Sequence, residues 1–352
     1  MFLRNVWYVA AWSSEVGRTM LSRRILNEPV VLFRSTAGAP VALEDRCVHR
    51  FLPLSLGELD GDEVVCGYHG MTFDASGKCI RIPGQTMIPS TACVRRYPVA
   101  EKWGCVWIWM GDPTQARESD IVNIPHYSDP AWGINRGEPL HIRANYQLIT
   151  DNLLDPTHVS FVHKSTFGTA SVAEHPVNTE HDDNSVRVSR HVPSSPAAPF
   201  FAKIGGFKGN VDRWQIYSLT LPALAMVDSG CRPCEGTTST TASAEDGSVR
   251  INSYNFITPE TETSSFYFYF QLRNFAPLDL DMTVLMNEQF SHAFHEDKVV
   301  LEAIQAATDP TGYNPKFHLA IDNASIRARR MLARKIQQEA TPPLVAAQTS
   351  PA

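Results

Sequence analysis

Two short pairs, Cys47-Val-His49 and Cys66-Gly-Tyr-His69, stand sixteen residues apart and constrain the fold of this chain more than any other feature. Two thiols and two imidazoles brought together are the donor set of a metal centre, and such a centre forces both segments into tight turns that face each other. They can hold one zinc ion tetrahedrally, or a [2Fe–2S] cluster with two Cys on one iron and two His on the other. Zinc sites usually leave two or more residues between paired ligands. The single residue between Cys47 and His49 fits better a pair whose members serve different irons. Around the pairs, PVVLFRS (29–35), PVALEDR (40–46), GDEVVCGY (61–68) and GCVWIWMG (104–111) are short β-type runs punctuated by Gly, Pro and Asp. The spacing predicts a small antiparallel β domain.

The chain has 352 residues, enough for about two domains. Residues 1–115 form the first and 116–340 the second, with 111–139, rich in Pro, Gly and Asp, as the linker. The tail from about Ile336 is expected to fray, and 341–352 to be disordered. A net charge of −6 and the lack of any basic run exclude a general affinity for nucleic acid. Seven scattered cysteines are a poor disulfide framework. No stretch reaches the ~20 apolar residues of a membrane span, and the N-terminus lacks the basic and long apolar regions of a signal peptide. A cytoplasmic location is expected.

In the second half, QIYSLTLPALAMV (215–227), VRINSYNFITPE (249–260) and SSFYFYFQLRNF (264–275) are expected as strands. Phe266, Phe268 and Phe270 would share one face of the last, and Tyr267, Tyr269 and Gln271 the other. Residues 284–306 have the pattern of an amphipathic helix.

DNLLDPTHVSFVH (151–163) sets two His, two Asp and an Asn among apolar residues, a burial that needs a reason. The pattern predicts a helix broken near Pro156. His158 and His163 are five apart, about 140° around an ideal helix, so they converge only if the segment bends or unwinds between them. Two His and one carboxylate make the facial triad of non-haem Fe(II) sites. The 284–306 helix offers the third ligand. Asp297 falls in the stripe of Met286, Phe290, Phe294, Leu301 and Ile304, and a carboxylate on a buried face needs a partner or a metal. Glu296 falls off that stripe and is expected in solvent.

CVHRFLPLS and CGYHGMTFD match the C-x-H-R…P-L-S and C-x-Y-H-G…F-D patterns of the Rieske family, and DNLLDPTHVSFVH resembles the N-x-x-D-x-x-H-x4-H motif of Rieske non-haem iron oxygenases. HEDKVVLEAI resembles the segment that carries their carboxylate ligand. RNVWYVAAW and ITPETE are similar to the vanillate and dicamba O-demethylase branch. Gly67 departs from the pattern, standing where many relatives carry proline.

The resemblance implies an α+β fold: an N-terminal Rieske antiparallel β domain, then a catalytic domain of helix-grip type, an antiparallel sheet backed by helices. It implies Cys47, His49, Cys66 and His69 on the [2Fe–2S] cluster, and His158, His163 and Asp297 on a mononuclear Fe(II). It further implies a head-to-tail homotrimer in which Asp155 bridges His69 of a neighbour to His158. Asn152 would lie beside the iron without ligating it, and Asn255 would contact substrate. O2 is the implied co-substrate. Electrons would come from NAD(P)H only indirectly, through a reductase carrying flavin and a ferredoxin-type cluster. No nucleotide-binding glycine motif occurs in the chain, which agrees with a separate reductase.

The implied activity is that of the terminal oxygenase component of a monooxygenase system, O-demethylating a small aromatic acid such as a vanillate-like methoxybenzoate. Methyl or ring hydroxylation of another aromatic acid or sulfonate is the alternative. A Rieske electron carrier is the reading from a different class, but it has no use for His158, His163 and Asp297. Leu153, Leu154, Phe161 and Val162 are expected to wall the iron from water. Asp151 is expected at the surface or in a structural role. Cys231 and Cys234 are expected as incidental thiols, and His292 and His295 as non-ligands.

Overall fold

The computed structural model describes residues 1–341 except 242, 243, 245, 309–311 and 314, with backbone alone at 170 and 171. The N-terminal third builds three small antiparallel sheets. Trp7–Trp12 pairs with Cys105–Trp109, which pairs with Val99–Lys102. A second sheet runs Leu21–Ile25, Glu28–Arg34, Pro40–Glu44, Arg96–Tyr97, and a third Glu58–Asp60, Glu63–Val65, Thr72–Phe73, Cys79–Arg81. Val31, Phe33, Leu54, Val64 and Phe73 form a core under the third sheet, and Cys47 and Cys66 belong to it.

The rest of the chain is organised on an eight-stranded antiparallel sheet. Its order is Gly133–Arg136, Ser264–Arg273, Val249–Thr261, Leu224–Pro233, Val211–Thr220, Ser185–Ser195, Asn178–His181, with Leu140–Ile142 also pairing to the 264–273 strand. Both faces of the central strands are covered, and the alternation read from the sequence assigns them. Phe268 packs edge-on against Trp12 at 5.3 Å between ring centroids, and Phe256 against Trp107 likewise, so this face docks on the N-terminal sheets. Tyr267 and Tyr269 pack on Phe294 of the long helix Leu280–Ala307, so the other face carries the helices. Burying aromatics on both faces supplies a large share of the hydrophobic stabilisation.

Several expectations are corrected. The 111–139 segment is no free linker: Ile121 and Ile124 are buried, Gly133–Arg136 is a sheet strand, and Trp7 and Trp103 donate their indole N–H to the carbonyls of Arg117 and Val122. Residues 215–227 are not one strand. The chain reverses between Thr220 and Leu224, where Pro222 has no N–H to give a ladder. The last helix continues to Ala340 rather than fraying at Ile336, and Glu339 accepts from the backbone N–H of Arg4 and Asn5 at 2.8 and 2.6 Å. Residues 342–352, expected to be disordered, lie outside the described residues. Ile304 is 37% exposed and leaves the helix stripe. No helix among the described residues is long and apolar enough to cross a membrane.

Candidate functional site

Cys47 and Cys66 open two loops with the same hydrogen-bond pattern. Cys47 N–H donates to Leu52 O and Phe51 N–H to Cys47 O; Cys66 N–H donates to Met71 O and Gly70 N–H to Cys66 O. The fifth residue of each loop is left-handed, Phe51 at φ 61° and Gly70 at φ 67°. Glycine bears this conformation at no cost and phenylalanine does not, so Phe51 is held there by its loop. The loops approach so closely that a Cβ on Gly57 would lie 2.0 Å from Val65 O. Asp45, 97% buried, ties the first loop down by accepting from the N–H and hydroxyl of Ser55 at 2.7 Å each. Its role was not read from the sequence; an acidic residue two before a ligand was the only signal.

The four donors divide by depth. The thiols are buried and the imidazoles exposed, with ring centroids 4.6 Å apart. Burial pushes the Cys47 thiol up, the backbone N–H of His49 opposes this, and the adjoining Cys66 adds to it. A bound cation would reverse that balance. Among the described residues, only His158, His163 and Asp297 gather their donor atoms within 4.8 Å, the span of a single ion. The wider Cys/His set, with one pair inside and one pair at the surface, suits a two-iron cluster.

The second site lies between the sheet's helical face and the long helix. Tyr146–Asn152 is one helix and Val159–Val162 another, separated by the break around Pro156. His158 and His163 cap the two ends of the second, a single turn that leaves helical geometry at His163 (φ −102°, ψ 41°), so the two histidines are not held at ideal helical spacing. His163 Nε2 is 3.2 Å and His158 Nε2 3.5 Å from the same Asp297 oxygen. The opposite ring nitrogens are tied back. His163 Nδ1 donates to Glu296 at 2.8 Å, and His158 Nδ1 donates to the backbone carbonyl of Asp155. Such outer partners fix the tautomer and leave both Nε2 lone pairs for a metal. Burial pulls the His163 pKa down, but Asp297 and Glu296 together hold it above its ordinary value. Asn152 donates to Asp297 at 3.1 Å, beside the triad.

Glu296 is therefore not simply solvated: its side chain curls back onto His163. The Asp155 carboxylate accepts from Thr157 N–H at 2.7 Å, while Arg190, 98% buried, clamps the same turn through Pro156 O and Thr157 Oγ1. Phe161 is 62% exposed and walls nothing; it lies two residues after buried Val159, about 200° around the helix. Leu153 and Leu154 are buried as expected. Asp151 pairs with Arg329 at 2.6 Å, a structural role. Cys231 is packed in the core, Cys234 donates to Asp212, and neither belongs to a metal-binding group among the described residues.

A cavity opens from the triad along the inner face of the sheet, between Phe167, Phe290 and Phe294 on one side and Arg213, Gln215 and Tyr217 on the other. Burial, with the charges of Asp155 and Asp297, keeps the Tyr217 phenol protonated. Asn255 lines the cavity, but its amide is committed: it donates to Ala225 O and Ser253 O and accepts from Tyr267 and Ser253 hydroxyls. With every donor and lone pair used, it is a wall rather than a free polar contact.

Residues 6–98 match the Rieske [2Fe–2S] domain family, and residues 142–338 the vanillate O-demethylase oxygenase C-terminal domain family. The chain is 40% identical to the iron–sulfur subunit of the toluene-4-sulfonate monooxygenase system of Comamonas testosteroni, over 96% of this chain and 98% of that one. It is 34% identical to the oxygenase component of dicamba O-demethylase of Stenotrophomonas maltophilia, over 96% and 99%. With the vanillate O-demethylase oxygenase subunit of a Pseudomonas species it shares 33%, over 96% of each. The crystal structure of dicamba monooxygenase bound to 3,6-dichlorosalicylic acid superposes with a TM-score of 0.87 at 32% identity, over 97% of this chain and 99% of that one. Two metal sites of different chemistry on one chain, matched along almost its whole length, identify it as a member of the Rieske non-haem iron oxygenases: a terminal oxygenase of a monooxygenase system, with a [2Fe–2S] cluster and a mononuclear iron as cofactors.

Proposed function

We propose that this chain oxidises the methoxy or methyl carbon of a small aromatic acid, with His158, His163 and Asp297 as the iron ligands and Cys47, His49, Cys66 and His69 as the cluster ligands. The observation that carries this reading is the convergence of two His Nε2 atoms on one Asp297 oxygen in the wall of an aromatic-lined cavity. Bound there, the iron supplies O2 activation and the cluster supplies the electrons. The chain's own residues hold and shield. Glu296 and the Asp155 carbonyl orient the two imidazoles, Asn152 orients the Asp297 carboxylate, and Phe290 and Phe294 keep water from the reacting carbon.

The net reaction consumes O2, two electrons and two protons, inserts one oxygen into a C–H bond and releases water. A methoxy substrate gives a hemiacetal that collapses to a phenol and formaldehyde; a methyl substrate gives a benzylic alcohol. The methoxybenzoate reading rests on the O-demethylase relatives. The 40% identity to a toluene-4-sulfonate monooxygenase subunit favours a methyl-bearing sulfonate as the second reading. Electrons enter from a flavin- and ferredoxin-type reductase. They cross between subunits of a head-to-tail homotrimer, with Asp155 linking the neighbour's cluster histidine to His158.

The test is a screen of methoxybenzoates, methylbenzoates and toluenesulfonates with a surrogate reductase and NADH, reading substrate-stimulated O2 uptake with formaldehyde or alcohol formed. About three irons per chain are expected, two in the cluster and one mononuclear. A cluster that reduces normally while no aromatic acid stimulates O2 uptake would overturn the proposal.

A further inference from the structure

We infer that Arg213 and Gln215 form the seat for the anionic group of the substrate, at the end of the cavity remote from the metal triad. The inference rests on the aromatic-acid reading above and names the residues that would enforce it.

Arg213, Gln215 and Tyr217 alternate along the Val211–Thr220 strand, so all three project from its inner face into the cavity. Tyr217 stands between the triad and Arg213, since the charges of Asp297 and Asp155 on one side and of Arg213 on the other all act on it. Arg213 lies four residues back, about 13 Å along the strand. It is 94% buried, and among the described residues no carboxylate lies within salt-bridge distance of it. Among the described residues its hydrogen bonds all leave through one nitrogen, Nη1, to Thr169 Oγ1 at 2.9 Å and Pro196 O at 3.4 Å. Arg213 lines the cavity, and Nε and Nη2 of its planar fork make no hydrogen bond among the described residues.

Buried arginines elsewhere in the chain are accounted for differently. Arg273 is held through one nitrogen by Ala276 O, Asp279 O and Thr283 Oγ1, and Arg190 clamps the turn before His158; each also keeps buried N–H groups without a partner among the described residues, but packed away from the cavity wall. Neither lines this cavity.

Gln215 is the second, independent observation. It is 92% buried, its Oε1 has no hydrogen-bond partner, and its side chain makes no bond among the described residues. A buried amide without partners is costly unless a ligand completes it. Rotation about its last bond presents either the N–H2 or the oxygen, so it can donate to an anion beside Arg213. A cation without a counter-ion and an amide without a partner, adjacent on one face and opening on one aromatic cavity, fit an arene carboxylate or sulfonate. Anchoring that group at Arg213 turns the substituent across the ring toward the triad.

The test uses the iron-loaded, cluster-intact enzyme with a surrogate reductase. The wild type and the variants Arg213→Gln, Arg213→Lys and Gln215→Leu are compared on 4-methoxybenzoate, toluene-4-sulfonate and their neutral amides. Arg213→Gln is expected to raise KM for the acids about 30-fold or more, as removal of one partner of a buried charge pair does, and to leave the amides nearly unchanged. Arg213→Lys should restore part of the loss, and Gln215→Leu should give a smaller rise confined to the acids. The two acids separate carboxylate from sulfonate as the anion. Equal effects on acids and amides, or none on either, would overturn the seat. If the wild type turns over none of these compounds, the functional reading has failed. Calorimetric binding of the same acids to wild type and Arg213→Gln then decides the seat by itself: loss of binding in the variant supports it, and equal binding or none sinks it.

Discussion

The ring nitrogen Nδ1 of His163 lies 2.8 Å from a carboxylate oxygen of Glu296, the residue directly before Asp297 on the same helix. Adjacent carboxylates thus serve one imidazole from both sides, one at each ring nitrogen. Glu296→Gln removes the charge that orients His163 while leaving Asp297 in place. Loss of an outer partner of this kind typically costs about 10–100-fold in metal affinity. The expected result is weaker iron binding by that factor in a metal titration, with cluster absorbance unaltered. Unchanged affinity would mean that the Asp297 contact alone orients the ring.

Asp155 has two separable functions. Its carbonyl holds His158 Nδ1, and its carboxylate accepts from Thr157 N–H. Asp155→Asn keeps the carbonyl and an oxygen for Thr157, so the turn and both metal sites should persist. The charge proposed to bridge the subunits is gone. Reoxidation of the reduced cluster by O2 and substrate should slow on the order of 10–100-fold, measured by stopped-flow absorbance. Full-rate reoxidation would remove Asp155 from the electron path.

The proposed metal ligands could be singled out in the sequence because their chemistry is local: two Cys–His pairs, two His just beyond a proline break, and an Asp on an apolar stripe. Among them, His158, His163 and Asp297 do converge. The faces of the 264–273 strand were legible too, since strict alternation forces Phe268 and Tyr269 to opposite sides. Glu296 was misjudged because face assignment follows Cβ directions, whereas a long side chain can curl back to a partner on another element. Phe161 was misjudged for the opposite reason, an apolar residue on the wrong side of a single helical turn. Arg213 and Gln215 were not singled out. Their strand runs Val211–Thr220, but the apolar content of 215–227 hid the reversal at Pro222 and with it the inward face. Nothing local in the sequence says which cation lacks a counter-ion.

Glu302 on the long helix accepts from Arg143 N–H at 2.9 Å and pairs with Lys298. Burial pushes its pKa up, but the Arg143 and Lys298 contacts outweigh this and bring it down to about 2. A folded-state pKa below the unfolded value of about 4.3 stabilises the fold above that pH, and the contribution fades as pH falls toward 2. The pairing is close to solvent, so its worth is about 1 kcal/mol. Glu302→Gln should lower the urea midpoint at pH 7, and the gap from wild type should narrow below about pH 5. A gap independent of pH would assign the loss to packing instead of charge.

Gly57 offers a way to separate the two metal centres. A Cβ there would stand 2.0 Å from Val65 O and 3.0 Å from Gly67 N, both backbone atoms of the second cluster loop or its lead-in strand. Backbone on both sides cannot yield as a flexible side chain would, so Gly57→Ala must push the loops of Cys47 and Cys66 apart. With Cys47 and Cys66 as the proposed ligands, the cluster needs thiolates from both loops at once. The variant should therefore lose its visible cluster absorbance and fall from about three irons per chain to about one. The mononuclear site, built on other elements, should still bind iron or cobalt. Retention of a full cluster spectrum would show that the loops can separate without releasing the irons, and that the close approach at Gly57 is not what holds the four ligands in register.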